Sequence, residues 1–113
     1  MNMDYDSMQH YLNANKTKRP EIAILSWMIE PKHKNVIISI EGTGTKLVLD
    51  NLESSIWNMI NDNYGTLENL LKNFTKNQEE RLVQIIRNLE KERVILLRSN
   101  SIWEEEDEGV QDY

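Results

Sequence analysis

Along this chain the hydrophobic pattern changes period once. Up to Leu49 the apolar residues come in short runs with alternate residues on one face; after Leu52 they recur every three or four residues. The first regime contains EIAILSWMIEP closed by Pro31, then VIISIEG, then KLVLD, with KHKN and TGT between them. Val36, Ile38 and Ile40 share one face of an extended segment, as do Leu47 and Leu49. Three β-rich runs separated by turn residues predict a meander of three antiparallel strands. Gly42 and Gly44 supply the positive φ that a tight reversal between the second and third runs needs. They do not make a nucleotide loop, because the spacing is wrong and a strand follows where a helix would have to begin.

The second regime predicts three helices. Asp50 is placed to cap the first, with Glu53 three residues on completing a capping box. Leu52, Ile56, Met59 and Ile60 fall on its inner face, and Trp57 is expected to fill the space between this helix and the sheet. Thr66 caps a second helix carrying Leu67, Leu70, Leu71 and Phe74. Asn77 with Glu80 is expected to start a third, whose buried stripe is Leu82, Ile85, Ile86 and Leu89. Val94–Leu97 is apolar enough to tuck back on the core. The predicted class is α+β, a three-stranded antiparallel sheet followed by three helices.

Length and charge narrow this further. A chain of 113 residues makes one domain, with room for one modest core and no deep substrate pocket. The division expected is a flexible arm over 1–19, a folded domain over 20–98 and an acidic tail over 99–113. The net charge is −6, yet residues 104–113 alone hold six acids and no base, which leaves thirteen acids against thirteen bases in the rest. The acidity therefore belongs to the tail and the body is neutral. With no cysteine, disulfides, thiolate catalysis and Cys-based zinc sites are excluded together. No run approaches the ~20 apolar residues of a membrane span, and the N-terminus lacks the apolar stretch of a secretory signal. A cytosolic location is expected.

Little in the chain suggests catalysis or nucleic-acid binding. His10 and His33 are the only imidazoles, one in the arm and one in a turn, with no serine–aspartate or HxxxH partner arrangement. Glu104–Glu108 lacks the alternating ligands and turn glycine of a calcium loop. No metal or cofactor is expected, and no enzyme activity. A winged-helix DNA binder with a reading last helix is the rival reading. Affinity for DNA depends on neutralising phosphates, and a neutral body with an acidic tail does little of that. A general protein–protein adaptor is a third.

The segment Leu47–Ile95 resembles the PqqD-like family, which includes the recognition elements of peptide-modifying pathways. The resemblance rests on a strand ending in a polar residue (Leu47–Asp50), a helix with Ile56-Trp57, a turn into Gly65-Thr66-Leu67-Glu68, and a last helix closing from Leu89 to Ile95; it extends over about residues 21–97. Arg93 departs from it, standing where many relatives carry glycine. A non-glycine left-handed cap costs about 1 kcal/mol, so this helix end is expected to be built differently. The resemblance implies a winged-helix-like fold that holds the leader segment of a ribosomally made precursor peptide as an added strand. It also implies a separate modifying enzyme, often a radical SAM enzyme, as the second partner. The open edge of the third run, Lys46, Leu47, Val48 and Leu49, fits the strand-addition part. Leu82, Val83, Ile86 and Arg87 are expected to form the facing wall of the cleft, with Gln84, Arg87 and Lys91 as a positive rim suited to an acidic leader.

Overall fold

The computed structural model describes residues 5–99, and side chains from Ser7 onward. The expectations for the acidic run Glu104–Glu108 and the first four residues lie outside this range. The chain opens with a helix, α1 (Tyr5–Asn15), and a strand, β1 (Lys18–Ile22). Next come β2 (Trp27–Ile29), β3 (Val36–Ser39) and β4 (Lys46–Val48), then α2 (Asn51–Asn61) and α3 (Leu67–Leu71). A single 3-10 turn (Lys76–Gln78) leads into α4 (Glu79–Lys91), and β5 (Ile95–Ser99) ends the described chain.

The expected three-stranded antiparallel sheet is present, in the order β2-β3-β4. Its first run, however, is not one strand. Residues 21–31 divide between the end of β1 and β2, and β1 belongs to a separate two-stranded antiparallel ribbon with β5. Pro20 sits in the middle of β1, where proline is tolerated only if its missing N–H faces away from the partner strand. The register meets that condition. The Ala23 N–H donates to the Val94 carbonyl, so by alternation Pro20, opposite Leu97, turns its nitrogen outward. Residues of the expected tuck-back, Val94–Leu97, therefore form a connection and a paired strand.

One core lies between the inner face of the three-stranded sheet and the helices. Val36, Ile38 and Leu49 from the sheet meet Ile56, Trp57 and Ile60 of α2, Leu67 and Leu70 of α3, and Leu82, Ile85, Ile86 and Leu89 of α4. Trp57 is fully buried and packs edge-on against Trp27 of β2, ring centroids 5.6 Å apart. Its position between first-run strand and capped helix is the one its bulk predicted.

The helix boundaries follow local chemistry. Asp50 Oδ1 accepts from the Glu53 N–H while Glu53 Oε1 accepts from the Asp50 N–H, closing the expected capping box. Thr66 Oγ1 accepts from the Asn69 N–H. The start of α4 differs from the expected Asn77–Glu80 pair: Gln78 Oε1 accepts from the Thr75 N–H, and the 3-10 turn intervenes before the α-helix. At the other end of α4, Arg93 adopts φ 63°. The Val94 N–H reaches the Leu89 carbonyl and the Arg93 N–H that of Glu90, the paired bonds of a left-handed helix stop. This end is built in the glycine manner with an arginine in place, contrary to expectation.

Within the expected flexible arm over 1–19, residues 5–15 form a helix and 18–19 begin β1. Helix α1 packs against α4: Met8 is only 4 % exposed, and the Tyr11 hydroxyl donates to Glu90 Oε1 at 2.7 Å. The Glu68 N–H donates to the Lys16 carbonyl, which ties the end of α1 to the start of α3.

Candidate functional site

The edge of β4 is the first half of the expected site. Leu49 donates its N–H to the Val36 carbonyl and Ile40 its N–H to the Thr45 carbonyl. In an antiparallel pair such bonds fall on alternate residues, so Thr45, Leu47 and Leu49 direct their backbone groups toward β3. Lys46 and Val48 direct theirs the other way. Among the described residues β4 pairs with β3 alone, which leaves those outward groups without a strand partner. Their side chains are exposed too, Val48 to 67 %. Leu47 points inward and is half-buried against the core, while Leu49 is buried.

Ser54 of α2 fixes the C-terminal end of this strand. Where Val36 and Leu49 would exchange a second backbone bond, the buried Ser54 hydroxyl stands between them. It accepts from the Val36 N–H at 3.0 Å and donates to the Leu49 carbonyl at 3.3 Å. Asn35 Nδ2 donates to the same carbonyl at 2.8 Å. The strand is thereby held to both its neighbour and the helix that follows.

The second half of the expected site is placed differently. Leu82, Val83 and Ile86 are all buried, Val83 with no exposed surface, and none offers a wall to a ligand in this conformation. Successive residues of a helix turn by about 100°, which puts Val83, Arg87 and Glu90 on one flank of α4 and Arg81 and Asn88 on the other. Contacts identify what each flank faces. Glu90 receives the Tyr11 hydroxyl and Arg87 lies 6.0 Å from the Tyr11 ring centroid, so the first flank is covered by α1. On the second, Arg81 Nη2 lies 3.1 Å from Asp50 Oδ2, just past the end of β4. Arg81 is therefore an α4 cation placed at the end of the strand. Its partner there is the carboxylate that also caps α2. Of the expected rim, Arg87 lies in the α1–α4 seam.

An open groove of about 530 Å³ runs along that seam, lined by Ser7, His10, Tyr11, Ala14, Asn15 and Arg87. Burial, and then the bond to Glu90, push the Tyr11 hydroxyl well above the usual phenol range, so it remains a neutral donor. At the tip of the β2–β3 hairpin the Glu30 carboxylate accepts from the His33 N–H, and this backbone bond holds its pKa below the usual carboxylate value. No group of three or more His, Asp or Glu able to hold a metal ion occurs among the described residues, and no described helix is long and apolar enough to cross a membrane.

No family model matches this chain, and no curated protein or solved structure matches it.

Proposed function

We propose that this protein is a non-catalytic peptide-binding module that takes an extended segment onto the free edge of β4. The observation that carries the reading is the outward-facing backbone at Lys46 and Val48 on a strand that, among the described residues, is paired on one side only. An unpaired edge supplies main-chain hydrogen bonds to any extended chain, and flanking side chains select among them. Natural proteins ordinarily blunt such an edge. Here β4 is three residues long and carries Lys46, yet Val48 adds exposed apolar surface beside that lysine.

The resemblance to the PqqD-like family makes the ligand the leader of a ribosomally made precursor and the protein a carrier that presents it to a modifying enzyme, for example of the radical SAM class. Support comes from the order of pieces: a strand into a capped helix with Ile56-Trp57, a Thr66-capped helix, and a last helix ending at Arg93. In this reading α2, α3 and α4 with the three-stranded sheet are the winged-helix-like unit, and α1 and the β1–β5 ribbon are additions to it. Tethering the peptide at its enzyme turns a weak encounter into an effectively intramolecular one. Affinity in the micromolar range, about −8 kcal/mol, suffices for that. The DNA-binding alternative is weakened because two of the cations on α4 are engaged within the protein, Arg81 with Asp50 and Arg87 with Tyr11.

The test is calorimetric titration with a synthetic acidic leader peptide, using wild type and Val48→Pro. Proline at 48 deletes an outward N–H and leaves the bonds to β3 in place. Micromolar binding that is lost in the variant is the expected result. Equal binding by both proteins would contradict strand addition at β4.

A further inference from the structure

The solvent face of the three-stranded sheet carries a row that the edge leaves unfinished. Met28, Ile37 and Val48 stand side by side across β2, β3 and β4. Met28 is 53 % exposed and Val48 67 %, so the row is apolar surface open to water. The next rung reads Ser39 then Lys46. Lys46 is exposed and forms no ion pair among the described residues. A strand laid against β4 would continue both rungs. It would put one side chain beside Val48 and another, two residues away on the same face, beside Lys46.

We infer that the segment accepted at this edge is an extended peptide with an apolar residue followed, two positions later, by a carboxylate. The inference rests on the strand-addition reading above and specifies its ligand. Directly opposed pairs are the unit of sheet stabilisation, apolar with apolar and cation with anion, while like charges opposed to one another destabilise. Lys46 therefore selects Asp or Glu and rejects Lys or Arg. Val48 extends the apolar row by one member and selects a β-branched or aromatic residue. The order follows from direction. The sheet is antiparallel throughout, and antiparallel pairing is the more stable per residue. The peptide residue facing Val48 then precedes the one facing Lys46, giving apolar–any–acidic from N to C. The intervening residue points to the inner face beside the half-buried Leu47.

Three synthetic peptides in an otherwise identical Ser/Thr-rich extended host test this, with central Val-Thr-Glu, Val-Thr-Lys or Lys-Thr-Glu. Each is titrated into the isotope-labelled full chain while the backbone amide resonances of Lys46 and Val48 are followed. The Val-Thr-Glu peptide is expected to bind tightest, by about three- to fivefold over each of the others. Lys46→Glu should reverse the preference between Val-Thr-Glu and Val-Thr-Lys. If all three peptides shift those amides with equal affinity, the pattern is overturned and strand addition stands. If none shifts them, the edge reading itself fails. N-methylating the peptide amides that face β4 serves as a second check that leaves the protein unaltered, and undiminished binding there also overturns edge addition. A concentration-dependent shift of the same amides without peptide would assign the edge to a second copy of the chain and overturn the peptide as its occupant.

Discussion

The β4 edge and the outer flank of α4 differ in one respect that decides their roles: what the chain itself has placed against them. Both were read from sequence as walls of a single cleft. On the α4 flank Val83 is fully buried, and Tyr11 of α1 engages Glu90 and Arg87 on the same side of the helix. At β4 no described element supplies a strand, and Val48 stays exposed. An amphipathic flank is completed by any apolar side chain that reaches it. An unpaired strand edge is completed only by another extended backbone. Among the described residues the fold satisfies the first internally and leaves the second unpaired.

Substitutions should separate the two regions by the size and kind of their effects. Val83→Asp buries an unpaired carboxylate and should lower stability by about 3–5 kcal/mol, read as a fall in the denaturation midpoint. A folded variant of unchanged stability would mean that α1 does not close over this flank. Ser54→Ala strands the Val36 N–H at the head of the sheet and should remove about 1–3 kcal/mol. Tyr11→Phe should cost about 1 kcal/mol, with loss of protection confined to α1 and the facing turn of α4. The same seam should be sensitive to alkali. A phenol whose folded pKa is raised contributes stability that is complete below its unfolded value, about 10, and is lost as pH rises through the folded one. Absorbance titration should therefore show Tyr11 ionising above the usual phenol range, together with release of α1. Arg93→Gly should gain about 0.5–1 kcal/mol, because glycine adopts the observed left-handed conformation without the Cβ penalty. A loss of stability there would place the Arg93 side chain in a contact that outweighs its backbone strain.

The parts of the fold legible in the sequence were those set by local chemistry. The Asp50–Glu53 box, the Thr66 cap, the glycine turn at 42 and 44, and the inward stripes of α2 and α4 all rest on residues within a few positions of one another. What escaped depended on distant pairing. Pro20 looked like a boundary, because its acceptability in β1 follows only from a partner strand some 75 residues later that turns its nitrogen outward. The signal for α1 was present but short: Met8, Tyr11 and Leu12 at i, i+3 and i+4 among polar residues. Such a helix holds by packing rather than propensity, so its existence depended on a receiving surface that sequence cannot display. The same limit explains the misplaced cleft wall. Helical spacing showed that Val83 and Arg87 share a flank, but not whether that flank faces β4 or α1. Arg81 settled it through a contact with Asp50, thirty-one residues away in sequence.

Native-state hydrogen exchange across β4 tests the central claim most directly, because it reads the direction of each backbone amide. In the free protein the Leu47 and Leu49 amides should exchange slowly and those of Lys46 and Val48 rapidly; the Val-Thr-Glu peptide should slow the second pair and leave the first unchanged. Protection of all four amides before any peptide is added would show the edge already occupied and contradict the account.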